Sequence, residues 1–211
     1  MTVDHIGWLL FPDLVWLRFI GRISFPLFAF LIAFGCTKTR NIGRYFLRLI
    51  SFACWIQVLF VLLKIDTANI FFTLALAVLA IAALRATKKK MKIGDAFDAI
   101  CVYTFLILLS ALFSYFADFL NMDYGAQGIA LIIGFFVILQ IPQKFRAPLY
   151  IAALVAFNLT FGFNYQWLSM FALCFILSFS DRTIKNAPPP WYVFYLYYPF
   201  HIAVLWLINL I

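Results

Sequence analysis

Asp4, His5, Arg18 and Arg22 stand out as ionisable side chains in an otherwise apolar N-terminal stretch. A charge near the centre of a bilayer costs ~2.5–3.5 kcal/mol even on insertion scales, so such residues are functional candidates. Pro12-Asp13 places a turn between them. His5 lies seven residues before Pro12, ~10 Å along one helix; Arg18 and Arg22 lie five and nine residues after Asp13, ~8 and ~13 Å along the next. In an antiparallel hairpin all three reach a similar depth, and Arg18 and Arg22, at i,i+4, share a face. A histidine beside a carboxylate and two guanidiniums makes an acid/base site with an oxyanion clamp, in which Asp4 sets the tautomer of His5. The alternative is a structural Asp–Arg ion pair, with His5 a hydrogen-bonded polar group.

The second histidine, His201, lies in the last apolar segment just after Tyr198-Pro199. Proline kinks a helix and frees a carbonyl, which at membrane depth is tolerated where the backbone lines protein or a water-filled cavity. His201 is therefore either a further catalytic candidate or a histidine bonded between helices. Arg40, Arg44 and Arg48 recur at i, i+4 and i+8 and form one helical stripe. That stripe either grips phosphates, which guanidinium matches in bidentate geometry, or snorkels to headgroups. Asn69, Asn158 and Gln57 are amides of the kind that also glue helices together. The four cysteines have no metal-ligand spacing, and no metal is expected.

The elements that position these residues are membrane helices. Of 211 residues, 66% are hydrophobic and 11% charged, and the mean hydropathy is +1.02. Soluble domains are about half apolar and about a quarter charged, so soluble globular and disordered classes are excluded. The expected fold is an all-α, polytopic integral membrane bundle, a single transmembrane domain over 1–211. It has about eight full spans plus a short N-terminal half-helix, at about 20 residues per span. The spans read as 14–36, 44–63, 67–85, 99–117, 125–141, 147–161, 164–180 and 191–211, preceded by the apolar piece 3–11. Pro188-Pro189-Pro190 is a stiff connector before the last span.

The net charge is +8, with 16 Lys and Arg against 8 Asp and no Glu. With the loop after the second segment in the cytoplasm, strict alternation puts 13 of the 16 basic residues on that side, leaving Arg18, Arg22 and Lys64 on the other. The basic balance is thus a topology signal and not a nucleic-acid surface. It predicts an N-terminus inside, on the cytoplasmic face, and a C-terminus outside.

The motifs around these residues resemble the TraX family, with the related TrbP proteins. They are Asp4-His5-Ile6-Gly7; Arg18-Phe19-Ile20-Gly21-Arg22-Ile23-Ser24-Phe25-Pro26-Leu27-Phe28-Ala29-Phe30-Leu31; Thr39-Arg40-Asn41; and Arg44-Tyr45 with Arg48-Leu49. The match continues in order with Asn69-Ile70-Phe71-Phe72-Thr73-Leu74, Asp123-Tyr124-Gly125, and Phe194-Tyr195 with Tyr198-Pro199-Phe200-His201. Each motif alone is weak; the ordered set covers nearly the whole chain.

The resemblance implies a multi-pass bacterial inner-membrane protein of conjugative plasmids. It implies acetylation of the N-terminus of a conjugative pilin subunit with acetyl-CoA as donor. The family is also distantly similar to integral-membrane acyltransferases in which a histidine late in the first helix is central, and His5 matches it. The implied site then has His5 as general base or acetyl carrier, Arg22 with Arg18 at the oxyanion, Arg40, Arg44 and Arg48 at the donor, and His201, Asn69, Asp123, Tyr124 and Tyr198 lining it. Two departures stand out. Family members usually begin with a further half-helix, which points to a start upstream of Met1. They also commonly carry an acid where this chain has Phe34. The rival classes are a non-catalytic membrane partner in pilus maturation and a small transporter, though no inverted repeat is visible.

The charge split generates a direct test. Reporter fusions after Lys92 are expected to report cytoplasm and those after Asn121 periplasm; both reporting one side would overturn the assigned topology.

Overall fold

The computed structural model describes residues 1–90, 104, 108, 111–113, 115, 116, 119, 122–162, 164–180 and 191–209. Among the described residues every regular element is helical: α1 (Thr2–Leu9), α2 (Val15–Gly21), α3 (Ser24–Lys38), α4 (Ile42–Leu62), α5 (Ile70–Lys90), α6 (Gly125–Ile138), α7 (Arg146–Leu159), α8 (Ala172–Ser180) and α9 (Trp191–Asn209), with 3-10 turns at Gln143–Phe145 and Tyr165–Phe171. In lipid the backbone must satisfy its own polar groups, and helices do so within each segment. Three stretches are long and apolar enough to cross a bilayer: Val15–Lys38, Ile42–Leu62 and Ile70–Thr87.

The helices depart from the expected spans in instructive places. The span expected at 14–36 is two helices. Pro26 has no N–H to offer the Arg22 carbonyl, and the N–H groups of Arg22 and Ile23 reach back to Phe19 and Ile20 at 3.2 and 3.4 Å. The segments expected at 125–141, 147–161 and 164–180 contain α-helices of 14, 14 and 9 residues, short of the ~20 that a full crossing takes. Tyr124 starts α6 abruptly in the left-handed region, at φ 58°. Pro142 stands between α6 and the turn that leads into α7. The first half of 164–180 winds as a 3-10 turn, whose Asn164 side chain accepts from the Gln166 N–H. Three candidate spans among the described residues thus stand against about eight expected for the whole chain. The expected span 99–117 lies largely outside the described residues, and the Pro188–Pro190 connector wholly so.

The chain divides into two compact units, Ala29–Gln140 and Met1–Phe28 with Ile141–Ile211. In the first, α4 ends in a Schellman motif. Ile65 N–H bonds the Phe60 carbonyl at 2.9 Å and Lys64 N–H bonds that of Val61 at 3.1 Å, with Lys64 at φ 55° where glycine is usual. Asn69 then caps α5, its Oδ1 accepting from the Phe71 N–H at 3.1 Å. Its Nδ2 donates to the Ala53 carbonyl at 2.8 Å and to Gln57 Oε1 at 3.0 Å, so one buried amide ties α4 to α5. Arg85 on α5 donates to the Cys36 carbonyl at the end of α3, at 3.0 Å. Ala29, Ala33, Ala53, Ala75, Ala77 and Val78 are fully buried, and such small residues let helices approach closely without a hydrophobic drive between them.

In the second unit α1 and α2 form a hairpin turned at Pro12-Asp13, where Leu14 N–H bonds the Phe11 carbonyl at 3.0 Å. Two glycines set its spacing. A Cβ on Gly7 would lie 2.8 Å from Leu17 Cβ, and one on Gly21 would land on the Asp4 side chain. Phe25 stacks on Phe157 of α7 at 5.6 Å, and Asn158 Oδ1 accepts from Ser169 at 3.0 Å, joining α7 to the turn at Tyr165–Phe171.

Gly21→Ala is expected to lower thermal stability in detergent by about 1–3 kcal/mol through overpacking. Gly134→Ala, whose Cβ meets nothing within 4 Å, should gain about 0.5–1 kcal/mol from helix propensity. A Gly21→Ala protein melting at or above wild type would contradict the close packing of the hairpin.

Candidate functional site

The site grows from the geometry of α1. Adjacent residues on a helix point ~100° apart, so Asp4 and His5 cannot serve one another. Asp4 faces α2. Its Oδ1 accepts from Arg22 Nη2 at 2.5 Å and lies 3.4 Å from Arg18 Nε. Among the described residues one carboxylate thereby faces two guanidiniums one helical turn apart.

His5 faces α9. Its Nδ1 lies 2.8 Å from His201 Nε2, and the rings are 5.0 Å apart between centroids. His201 is buried, and its Nδ1 donates to the Tyr197 carbonyl at 2.8 Å, one turn back on its own helix. The pair is walled by aromatic rings. Tyr198 stands edge-on to both imidazoles, at 5.9 and 5.5 Å. Tyr197 stacks on His201 at 5.1 Å, and Trp8 lies 6.3 Å from His5. Tyr197 also reaches α1, its hydroxyl 2.6 Å from Thr2 Oγ1.

The expectation that Asp4 sets the tautomer of His5 is corrected by this geometry. The carboxylate is engaged with the arginines, and the histidine's partner is His201. The helix α9 runs unbroken through Pro199. His201 bonds the Tyr197 carbonyl, whereas the carbonyl freed by Pro199 lies four residues before the proline, at Tyr195.

The other candidates divide between the units. Tyr198 belongs with the histidines. Arg40, Arg44, Arg48, Asn69, Asp123 and Tyr124 all lie in the unit Ala29–Gln140. There the three-arginine stripe is shorter than expected. Asn41 caps α4, its Oδ1 accepting from the Arg44 N–H at 2.9 Å, with an extended backbone at φ −126° and ψ 93°. Arg40 precedes the cap and leaves the helical register; Arg44 and Arg48 keep the i,i+4 spacing, Arg44 exposed and Arg48 half-buried over the Tyr45 ring at 5.7 Å. Asn69 caps α5. The Asp123 carbonyl accepts from Thr73 Oγ1 at 2.7 Å, and Tyr124 is the left-handed cap of α6. Each of these three has a helix-end role.

Sequence reasoning missed Tyr197, Thr2, Trp8 and Tyr165. Tyr197 was within reach, because it lies four residues before His201 and so one turn away. Tyr165 was not: its ring stacks on Phe19 at 5.4 Å and lies under Arg22 at 6.0 Å, a contact between residues more than 140 positions apart that no local pattern encodes. Among the described residues no three His, Cys, Asp or Glu side chains gather as a metal centre requires.

Fold and site together define an all-helical membrane protein with a paired-imidazole centre beside an Asp–Arg cluster. The sequence profile of the TraX family, described as TraX protein, matches residues 1–209, and the chain belongs to that family. It is also similar to the probable fimbrial assembly protein FimC, serogroup H1, of Dichelobacter nodosus, 34% identical over 105 aligned residues that cover 42% of this chain and 43% of that protein. The match thus spans less than half the length of that relative. No solved structure matches the chain.

Removing the shared carboxylate tests the cluster. Asp4→Asn leaves two guanidiniums facing each other without a counter-charge and should destabilise the detergent-solubilised protein by about 3–5 kcal/mol. Adding Arg22→Gln should recover part of that loss. A double variant no more stable than Asp4→Asn would show that charge balance is not what holds the hairpin.

Proposed function

We propose that this protein is a membrane-embedded acetyltransferase that acetylates the N-terminal amine of a conjugative pilin subunit, with acetyl-CoA as donor. The observation that carries the proposal is the His5–His201 contact at 2.8 Å, with the Arg18 and Arg22 guanidiniums gathered at Asp4, the residue before His5, in a chain of the TraX family. A relative named for fimbrial assembly supports the same setting. The reading includes about eight spans in the bacterial inner membrane, with the N-terminus in the cytoplasm and the C-terminus in the periplasm, as the charge pattern of the loops indicates.

The chemistry follows from the groups present. The acceptor nitrogen attacks the thioester carbonyl, a C–N bond forms and the C–S bond breaks. His5 takes the proton released by the amine and returns it to the leaving sulfur. Arg18 and Arg22 stabilise the negative charge that develops on the carbonyl oxygen. Tyr198 and Trp8 wall the site from lipid. Arg40, Arg44 and Arg48 fit the phosphates of the donor, since guanidinium pairs with phosphate in bidentate fashion and Arg44 is exposed.

A non-catalytic role in pilus maturation is the second reading, favoured by the word assembly in the name of the relative. The intact mass of pilin from cells with and without this gene separates the two. An acetyl-sized difference supports the enzyme; an unchanged mass with altered pilin abundance supports the assembly partner. His5→Ala is expected to slow acetylation by about 10²–10⁴-fold while its level in the membrane stays near wild type. Near-normal acetylation by a correctly inserted His5→Ala protein would overturn the assignment of His5 as base.

A further inference from the structure

The two histidines form a directed hydrogen-bond chain, and its direction follows from one acceptor. The Tyr197 carbonyl can only accept, so the 2.8 Å contact to His201 Nδ1 places a proton on that nitrogen. His201 is buried and His5 half-buried, and a buried charge is costly among apolar helices. Both imidazoles are therefore neutral. A neutral His201 protonated at Nδ1 has a bare Nε2, which accepts. The 2.8 Å contact to His5 Nδ1 then requires the proton to sit on His5. A neutral His5 protonated at Nδ1 keeps a lone pair on Nε2.

We infer that His201 is a positioning residue: it locks His5 as the Nδ1–H tautomer and makes His5 Nε2 the basic nitrogen of the site. The tautomer assignment stands on the hydrogen bonds alone; its catalytic consequence rests on the acetyltransferase reading. His201 acts through His5, and no step of the transfer touches it. The device resembles in logic any site where an acceptor behind a histidine selects which nitrogen faces the substrate. Here a second imidazole, itself oriented by its own helix, replaces the usual carboxylate. Asp4, the nearest carboxylate in sequence, is held by the arginines one face away, so the acceptor comes from α9 instead. Tyr197 stacked on His201 and Tyr198 edge-on to both rings hold the imidazole planes in register.

The chain has only two histidines, which makes the assignment directly readable. Wild-type protein labelled with 15N-histidine and reconstituted in liposomes is examined by nitrogen NMR, with His201→Gln used to assign the resonances. Both imidazoles are expected neutral, each protonated at Nδ1 and bare at Nε2, although an unconstrained neutral histidine favours the Nε2–H form. A proton on Nε2 of either imidazole, or an imidazolium at either position, overturns the inference, and because both rings are expected in the same form this readout needs no assignment and so no variant to fold. His201→Leu removes the acceptor and should return His5 to the Nε2–H form, with pilin acetylation falling by about a hundredfold or more. His201→Gln offers an amide oxygen in its place and should keep His5 protonated at Nδ1, with acetylation within about tenfold of wild type. A His201→Leu protein whose His5 stays Nδ1–H also overturns it. If the spectra come out as stated but wild type acetylates no pilin, the acetyltransferase reading fails and the tautomer assignment stands; acetylation by a wild type whose His5 carries Nε2–H gives the reverse.

Discussion

One carboxylate shared by two guanidiniums holds the N-terminal hairpin together. In apolar surroundings a charge is costly alone, and these three offset one another. Asp4 can reach Arg18 and Arg22 only because Gly7 and Gly21 let α1 and α2 come so close that a single methyl group would collide. The ion cluster and the glycines are therefore one device. It fixes the rotation of α1, and that rotation decides where His5 points.

From that rotation the histidine pair follows. Asp4 committed to α2 leaves His5 committed to α9, because neighbours on a helix diverge by ~100°. On α9, His201 is turned back onto the carbonyl of its own preceding turn, as long helical side chains are. Two helices distant in sequence thus meet through a bond between imidazoles, with Thr2 and Tyr197 bonded beside it. Guanidiniums on the α2-facing side of α1 and aromatic-walled imidazoles on the α9-facing side, ~100° round the helix, give this end of the hairpin two chemically distinct faces.

In the unit Ala29–Gln140 polar groups do a different job. Asn69, Gln57, Thr73, Arg85 and Asn41 are spent on helix ends and on the links between neighbouring helices. In lipid an unmet carbonyl or N–H at a helix terminus has no solvent to turn to. That demand accounts for the placing of Asn69 and Asp123, whose side chain or backbone is tied to a helix end. Arg44 and Arg48 retain the i,i+4 spacing, with Arg44 exposed and Arg48 half-buried, and Arg40 precedes the cap.

The sequence by itself determined the all-helical class of fold and the hairpin that carries Asp4, His5, Arg18 and Arg22. Hydropathy reports the solvent of each segment, and i,i+4 spacing with Pro12-Asp13 reports which charges lie at one depth; both are local and survive in a linear string. It did not determine where helices end. Pro26, Tyr124 and the Asn164 turn shorten elements that look continuous by composition, since hydropathy is blind to which backbone groups find partners. Nor did it determine pairing. Asp4 and His5 are neighbours in the chain and were expected to work together, yet a helix sends them to opposite partners. His5 and His201, separated by almost the whole chain, make the central bond. That choice belongs to tertiary structure, because only the packing of α1 between α2 and α9 decides which acceptor stands behind the histidine, and so which of its nitrogens is free to react.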